Sequence, residues 1–193
     1  PMPTAGLVDP AYLAQRGALL SDETALPQVA PGTPVWDHAW NLADDASLEL
    51  PSTSHISIVD SYGNALSMTT TIESSFGNGV MVRGFLLNNE LTDFSFRAHR
   101  GGRRVANRIE GGKRPRSSMA PVILFDGDNR PLAALGSPGG SRIINYVAET
   151  LLLMLHTDLS LQEILHQGHV SNHNGVTELE QGTAAEQLLY ALQ

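Results

Sequence analysis

The chain has 193 residues, room for one domain with a sizeable core and little room for two. Twelve Lys and Arg against 20 Asp and Glu give a net charge of -8, which repels a phosphate backbone and excludes non-specific nucleic-acid binding, so a small-molecule or peptide substrate fits better. The absence of cysteine removes disulfides, thiolate zinc sites and cysteine nucleophiles together, and no apolar run approaches the about 18 residues of a membrane span, so a soluble protein is expected.

Pro1-Met2 does not open a charged and then apolar leader, so no signal peptide is expected, and the compartment stays open. Asp9 is a good N-cap and Pro10 suits a first helical position, which predicts a helix to about Leu20. Residues 21–51 are rich in Pro, Asp, Ala and Gly without periodicity and read as an irregular connection with a boundary near Pro51. Two β-prone runs, residues 55–60 and 65–71, flank Ser61-Tyr62-Gly63-Asn64 and predict a hairpin headed by Thr53. Eight of the twelve basic residues (Arg97, Arg100, Arg103, Arg104, Arg108, Lys113, Arg114 and Arg116) crowd into one Gly-punctuated stretch. It reads as a mobile loop facing water, although such a patch also attracts carboxylates.

A second hairpin is predicted from residues 121–125, the turn Asp126-Gly127-Asp128-Asn129 and residues 132–136. Ser137-Pro138-Gly139-Gly140-Ser141 then leads into Ile143, Ile144, Val147, Leu151, Leu152 and Leu155 at helical spacing. A short helix over 161–165, a strand over 176–179 and a terminal helix over 184–192 complete the pattern. His166, His169 and His173 lack the spacing and the carboxylates of a metal site, and no G-x-S-x-G elbow accompanies Ser137.

The ordered blocks Thr53-Ser54-His55-Ile56-Ser57-Ile58-Val59-Asp60, Gly63-Asn64-Ala65, Thr69-Thr70-Thr71, Leu86-Leu87-Asn88-Asn89-Glu90-Leu91-Thr92-Asp93-Phe94-Ser95, Lys113-Arg114-Pro115-Arg116-Ser117-Ser118-Met119 and Gly136-Ser137-Pro138-Gly139-Gly140-Ser141-Arg142 resemble the start of the small subunit of γ-glutamyltransferases. These belong to the N-terminal-nucleophile hydrolases, and the resemblance implies an α+β fold, the αββα four-layer sandwich, present here in part. It implies that residues 1–52 end the large-subunit region and its pre-cleavage linker, and that 53–193 are the small-subunit catalytic region without its last strands.

The family cleaves its own precursor before a threonine whose freed amine then acts as base for its own hydroxyl, because a weak hydroxyl nucleophile needs an adjacent proton acceptor. By resemblance Thr53 is that nucleophile, after cleavage between Ser52 and Thr53, and Thr71 is the neighbouring threonine that assists cleavage. Gly139 and Gly140 supply oxyanion donors, which their place at a helix start also suits. Glu90 and Asp93 match the family's ammonium-binding pair and Ser117 and Ser118 its carboxylate-binding hydroxyls. Glu73 stands where the family often has an amide, which opens the acyl preference to glutaryl- or poly-γ-glutamyl compounds beside glutathione-like ones. No cofactor or metal is implied. The implied partners are a γ-glutamyl substrate and the large-subunit portion of the same precursor, whose arginine clamps the substrate carboxylate; without that portion the chain is expected to be inactive.

Overall fold

The computed structural model describes residues 3–21, 23–35, 42–46 and 52–192. Helix α1 (Thr4–Leu7) has no clear sequence signal, whereas α2 (Pro10–Gly17) begins as expected, the Asp9 carboxylate accepting from the Tyr12 amide at 2.9 Å. It stops before the expected end at Leu20. Residues 23–35 are irregular, but Leu42–Ala43 forms a short strand, β1, which corrects the reading of 21–51 as wholly unstructured. Part of that stretch, with Pro51, lies outside the described residues.

Strands β2 (Ser54–Val59) and β3 (Ala65–Thr70) pair antiparallel from Ser54↔Thr70 to Val59↔Ala65. The turn has a local cause. Asp60 Oδ1 accepts from the amides of Tyr62 (2.9 Å) and Asn64 (2.8 Å), and Gly63 takes the left-handed φ of 85° that closes a three-residue loop.

The basic stretch is more ordered than a mobile loop. After a small hairpin of β4 (Met81–Val82) and β5 (Phe85–Leu86) comes a 3₁₀ turn, Glu90–Asp93, and then β6 (His99–Arg100) and β7 (Arg103–Val105). Strand β7 is central in a three-stranded sheet, antiparallel to β6 and parallel to β1, and buries Val105 and Ala43. Arg108 is also buried and pairs with Glu110 at 2.7 Å.

Strands β8 (Val122–Phe125) and β9 (Pro131–Leu135) repeat the Asx-turn device: Asp126 Oδ1 accepts from the amides of Asp128 and Arg130, both at 2.8 Å, with Asn129 at φ 61°. This hairpin packs on the first. Ser67 Oγ donates to the Leu135 carbonyl at 2.8 Å, and the His55 ring lies so close to Gly136 that a Cβ there would come within 2.2 Å of it. A 3₁₀ turn, Gly140–Arg142, runs into α3 (Ile143–His156), and α4 (Leu161–His166) follows, opened by a Ser160–Glu163 capping box. The expected strand over 176–179 shortens to β11 (Glu178–Leu179), paired with an unforeseen β10 (Val170–Ser171), and the terminal segment Ala184–Tyr190 is 3₁₀ rather than α.

The result is a mixed α and β body with a thin core. Its accessible surface is 14287 Å², whereas a compact monomer of 20.7 kDa exposes about 9,000 Å². Ile56, Ile58, Leu66 and Met68, one face of the first hairpin by alternation, are all exposed. No helix among the described residues is long and apolar enough to cross a membrane.

Candidate active site

The register of the first hairpin brings the two threonines together. Because Ser54 opposes Thr70, the next residues outward, Thr53 and Thr71, meet at the open end of the pair. The Ser52 carbonyl oxygen accepts from Thr71 Oγ1 at 2.7 Å and from Thr53 Oγ1. Thr71 Oγ1 accepts in turn from the Glu73 amide at 2.8 Å, which leaves its own hydrogen for the Ser52 carbonyl. The bond joining residues 52 and 53 is thus gripped by hydroxyls on its carbonyl side.

The acids gather beside it. Glu73 has a left-handed φ of 71°, unusual for a residue with a side chain, and its carboxylate accepts from Asn89 Nδ2 and from Ser74 Oγ (2.9 Å). Glu90 and Asp93 stand three apart on the 3₁₀ turn and so share one side of it. Burial, then the charges of Asp93 and Glu73 and a hydrogen bond with Asp93, raises the Glu90 carboxyl above its ordinary range. Three carboxylates crowded this way favour a cation between them.

Asn107 ties the segments. Its Nδ2 donates to the Asp93 carbonyl (2.6 Å) and to Asp45 (2.8 Å), while its Oδ1 accepts from the Arg116 amide at 2.9 Å, one residue before Ser117. The Glu90–Asp93 turn and the segment entering the serine pair are therefore held by one carboxamide. Gly139 (φ 133°) and Gly140 (φ 59°) form the corner into the 3₁₀ turn, a backbone path that a side chain would strain.

One hollow is lined by Thr53, Thr71, Glu73, Glu90, Asp93, Ser117, Ser118 and Gly140, with Ser52, Met119 and Ile143. It gathers every residue singled out from the sequence except Gly139, which sits one residue behind Gly140. A second, more open hollow shares Ser52, Thr53 and Thr71 with the first and is otherwise lined by Ser54, Thr70, Ile72 and Ser75. Asn89, Asn107 and Ser74 were not foreseen. Asn89 lay inside a quoted block, but nothing local marks an asparagine as a tie. His166 Nδ1 lies 2.6 Å from the Gln162 carbonyl, and His169 pairs with Glu149.

Residues 1–193 match the gamma-glutamyltranspeptidase family model over the full length of the chain. The chain belongs to the gamma-glutamyltranspeptidase family. The glutathione hydrolase proenzyme of Bacillus subtilis is 37% identical over 177 residues, 88% of this chain and 29% of that protein. That of Pseudomonas aeruginosa is 39% identical over 181 residues, 86% of this chain and 30% of the other. The acylase ACY 1 proenzyme of a Pseudomonas species is 32% identical over 182 residues, 93% of this chain and 29% of its own length. The chain therefore spans less than a third of the length of each of these three relatives. A mutant gamma-glutamyltranspeptidase from Helicobacter pylori superposes with a TM-score of 0.60 at 32% identity, over 72% of this chain and 80% of that one.

Proposed function

We propose that this chain is the central part of a self-cleaving precursor that transfers or hydrolyses γ-glutamyl groups of glutathione-like compounds. The observation that carries the reading is the single hollow in which two threonines, three carboxylates and two serines meet. A γ-glutamyl group carries an ammonium and a carboxylate on one carbon. Glu73, Glu90 and Asp93 suit the first, and the hydroxyls of Ser117 and Ser118 the second. A glutaryl group keeps the carboxylate but has no ammonium to offset the acids at Glu73, Glu90 and Asp93, so γ-glutamyl and poly-γ-glutamyl donors are favoured over glutaryl ones.

In self-cleavage Thr53 Oγ1 attacks the Ser52 carbonyl carbon, the carbonyl electrons move onto oxygen, and Thr71 Oγ1–H stabilises them. The C–N bond then breaks as the nitrogen takes up the proton that the Thr53 hydroxyl gave up on attack. Water hydrolyses the resulting ester, which leaves a Ser52 carboxylate and a free Thr53 amine. That amine accepts the Thr53 hydroxyl proton while the oxygen attacks the substrate γ-carbonyl, and the amides of Gly139 and Gly140 receive the oxyanion. The amine product leaves with a proton, and water or an acceptor amine releases the γ-glutamyl group from Thr53.

Residues 1–52 then end one subunit and 53–193 begin the other. The remaining chain of the precursor covers the exposed Ile56, Ile58, Leu66 and Met68 face and completes an αββα four-layer sandwich, a reading supported by the open, thinly cored body. With residues 52 and 53 joined, the Thr53 nitrogen is an amide without a lone pair to accept a proton, so the chain as it stands is inactive.

The test is Thr53→Ala in the full-length precursor. We expect one uncleaved band on a denaturing gel and no turnover of a γ-glutamyl anilide; a normally processed variant would overturn the assignment.

A further inference from the structure

The histidines that lack a metal pattern include one with a partner the function has not used. His169 sits just before β10, and its ring stacks on Tyr146 of α3 with centroids 4.1 Å apart and planes 15° from parallel. Its Nδ1 lies 2.8 Å from Glu149 Oε2, and its amide donates to Glu180 Oε2 at 3.0 Å. One turn before Tyr146 the Arg142 guanidinium pairs with Glu178 of β11. Arg142, Tyr146 and Glu149 are spaced four and three apart, so all three lie on one side of the helical segment and meet the β10–β11 hairpin there.

The Tyr146 ring also meets the glycine corner, through its Cδ2–Cε2 edge. A Cβ built on Gly139 would come 3.0 Å from Tyr146 Cε2 and 3.4 Å from Cδ2, so the ring already lies against that backbone. Gly139 at φ 133° and Gly140 at φ 59° occupy conformations with no side chain of their own to restrain them. A flat, half-buried ring that is itself stacked on His169 supplies that restraint. The hydroxyls of Thr71 and Thr53 that reach the Ser52 carbonyl come from elsewhere in the fold.

We propose that Tyr146, held flat by His169 and through it by Glu149, is a positioning residue that fixes the Gly139–Gly140 backbone for the oxyanion of the γ-glutamyl transfer step. The inference rests on the function proposed above. It separates two chemistries that share Thr53: acyl transfer at the glycine corner depends on the stack, and self-cleavage, served by Thr71, does not.

The experiment uses the full-length precursor with Tyr146→Ala, Tyr146→Phe and His169→Ala. Processing is read on gels, kcat and KM with a γ-glutamyl anilide, and affinity with free glutamate and with a tetrahedral boronate analogue of the γ-glutamyl group. We expect Tyr146→Ala to self-cleave normally and to lose kcat by about 10- to 100-fold, the scale of a misplaced catalytic group, with KM nearly constant. Boronate affinity should fall with kcat while glutamate affinity stays. Tyr146→Phe keeps the ring and should restore kcat, and His169→Ala should show a smaller loss of the same kind. Unchanged kcat in Tyr146→Ala, equal loss of glutamate and boronate binding, or loss of processing together with kcat overturns the inference. If Tyr146→Ala fails to fold, His169→Ala decides by the same readouts. An unsubstituted precursor that processes but turns over no γ-glutamyl anilide overturns the functional reading and this inference with it.

Discussion

Thr71→Val removes one hydroxyl and keeps the shape of the side chain, and its consequence can be worked from two hydrogen bonds. Thr71 Oγ1 donates to the Ser52 carbonyl at 2.7 Å and accepts from the Glu73 amide at 2.8 Å. The other hydroxyl on that carbonyl belongs to Thr53, the attacking group in the self-cleavage we propose. Once its oxygen bonds to the carbonyl carbon it cannot also stabilise the oxyanion, so the charge falls to Thr71. Losing such a donor costs about 3 to 4 kcal/mol, or about 100- to 1000-fold in rate. Full-length Thr71→Val should therefore mature about 100- to 1000-fold more slowly in a gel time course, and Thr71→Ser should recover most of the rate. The orphaned Glu73 amide should add a stability loss of about 1 to 3 kcal/mol, visible as a lower Tm. Parental maturation of Thr71→Val, or a Thr71→Ser as slow as Thr71→Val, would refute the reasoning.

Asp93→Ala should raise KM for γ-glutamyl substrates far more than for analogues without the α-amine, and equal losses for both would rule out an ammonium contact. Glu90 gives a pH test. Its carboxyl is raised above the ordinary 4.5 by burial and by Asp93 and Glu73, so the folded chain keeps a proton that the unfolded chain releases. Stability then falls as pH rises from 4.5 through the raised value. Glu90→Gln should have a higher Tm than the parent at neutral pH and no advantage below 4.5; the same gain at both would show that ionisation is not the cause.

Much of the site was legible because its signals are local. Asp60 and Gly63 mark a turn whose geometry sets the register of both flanking strands, and that register alone brings Thr53 opposite Thr71. Asp126 and Asn129 do the same for the second hairpin, and a glycine pair before an apolar helical repeat marks the corner at residues 139 and 140. The ordered blocks carry the family resemblance and, through it, the acids and serines. The basic stretch was half legible: most of its charges do face solvent, as expected, while a two-residue parallel partner at Leu42–Ala43 orders part of it as strand beside a buried Val105 and Arg108.

The sequence by itself determined the two hairpins, the helix capped by Asp9 and the glycine corner, since each depends on interactions within a few residues of chain. Only the tertiary structure decided how Asp45, Asp93 and Arg116 share the Asn107 carboxamide, why the Glu90 carboxyl is raised, and that Tyr146 lies both against Gly139 and stacked on His169. Those contacts join segments far apart in the chain. Their partners are chosen by the shape of the packed whole, and no periodicity or turn signal in one segment names its counterpart in another.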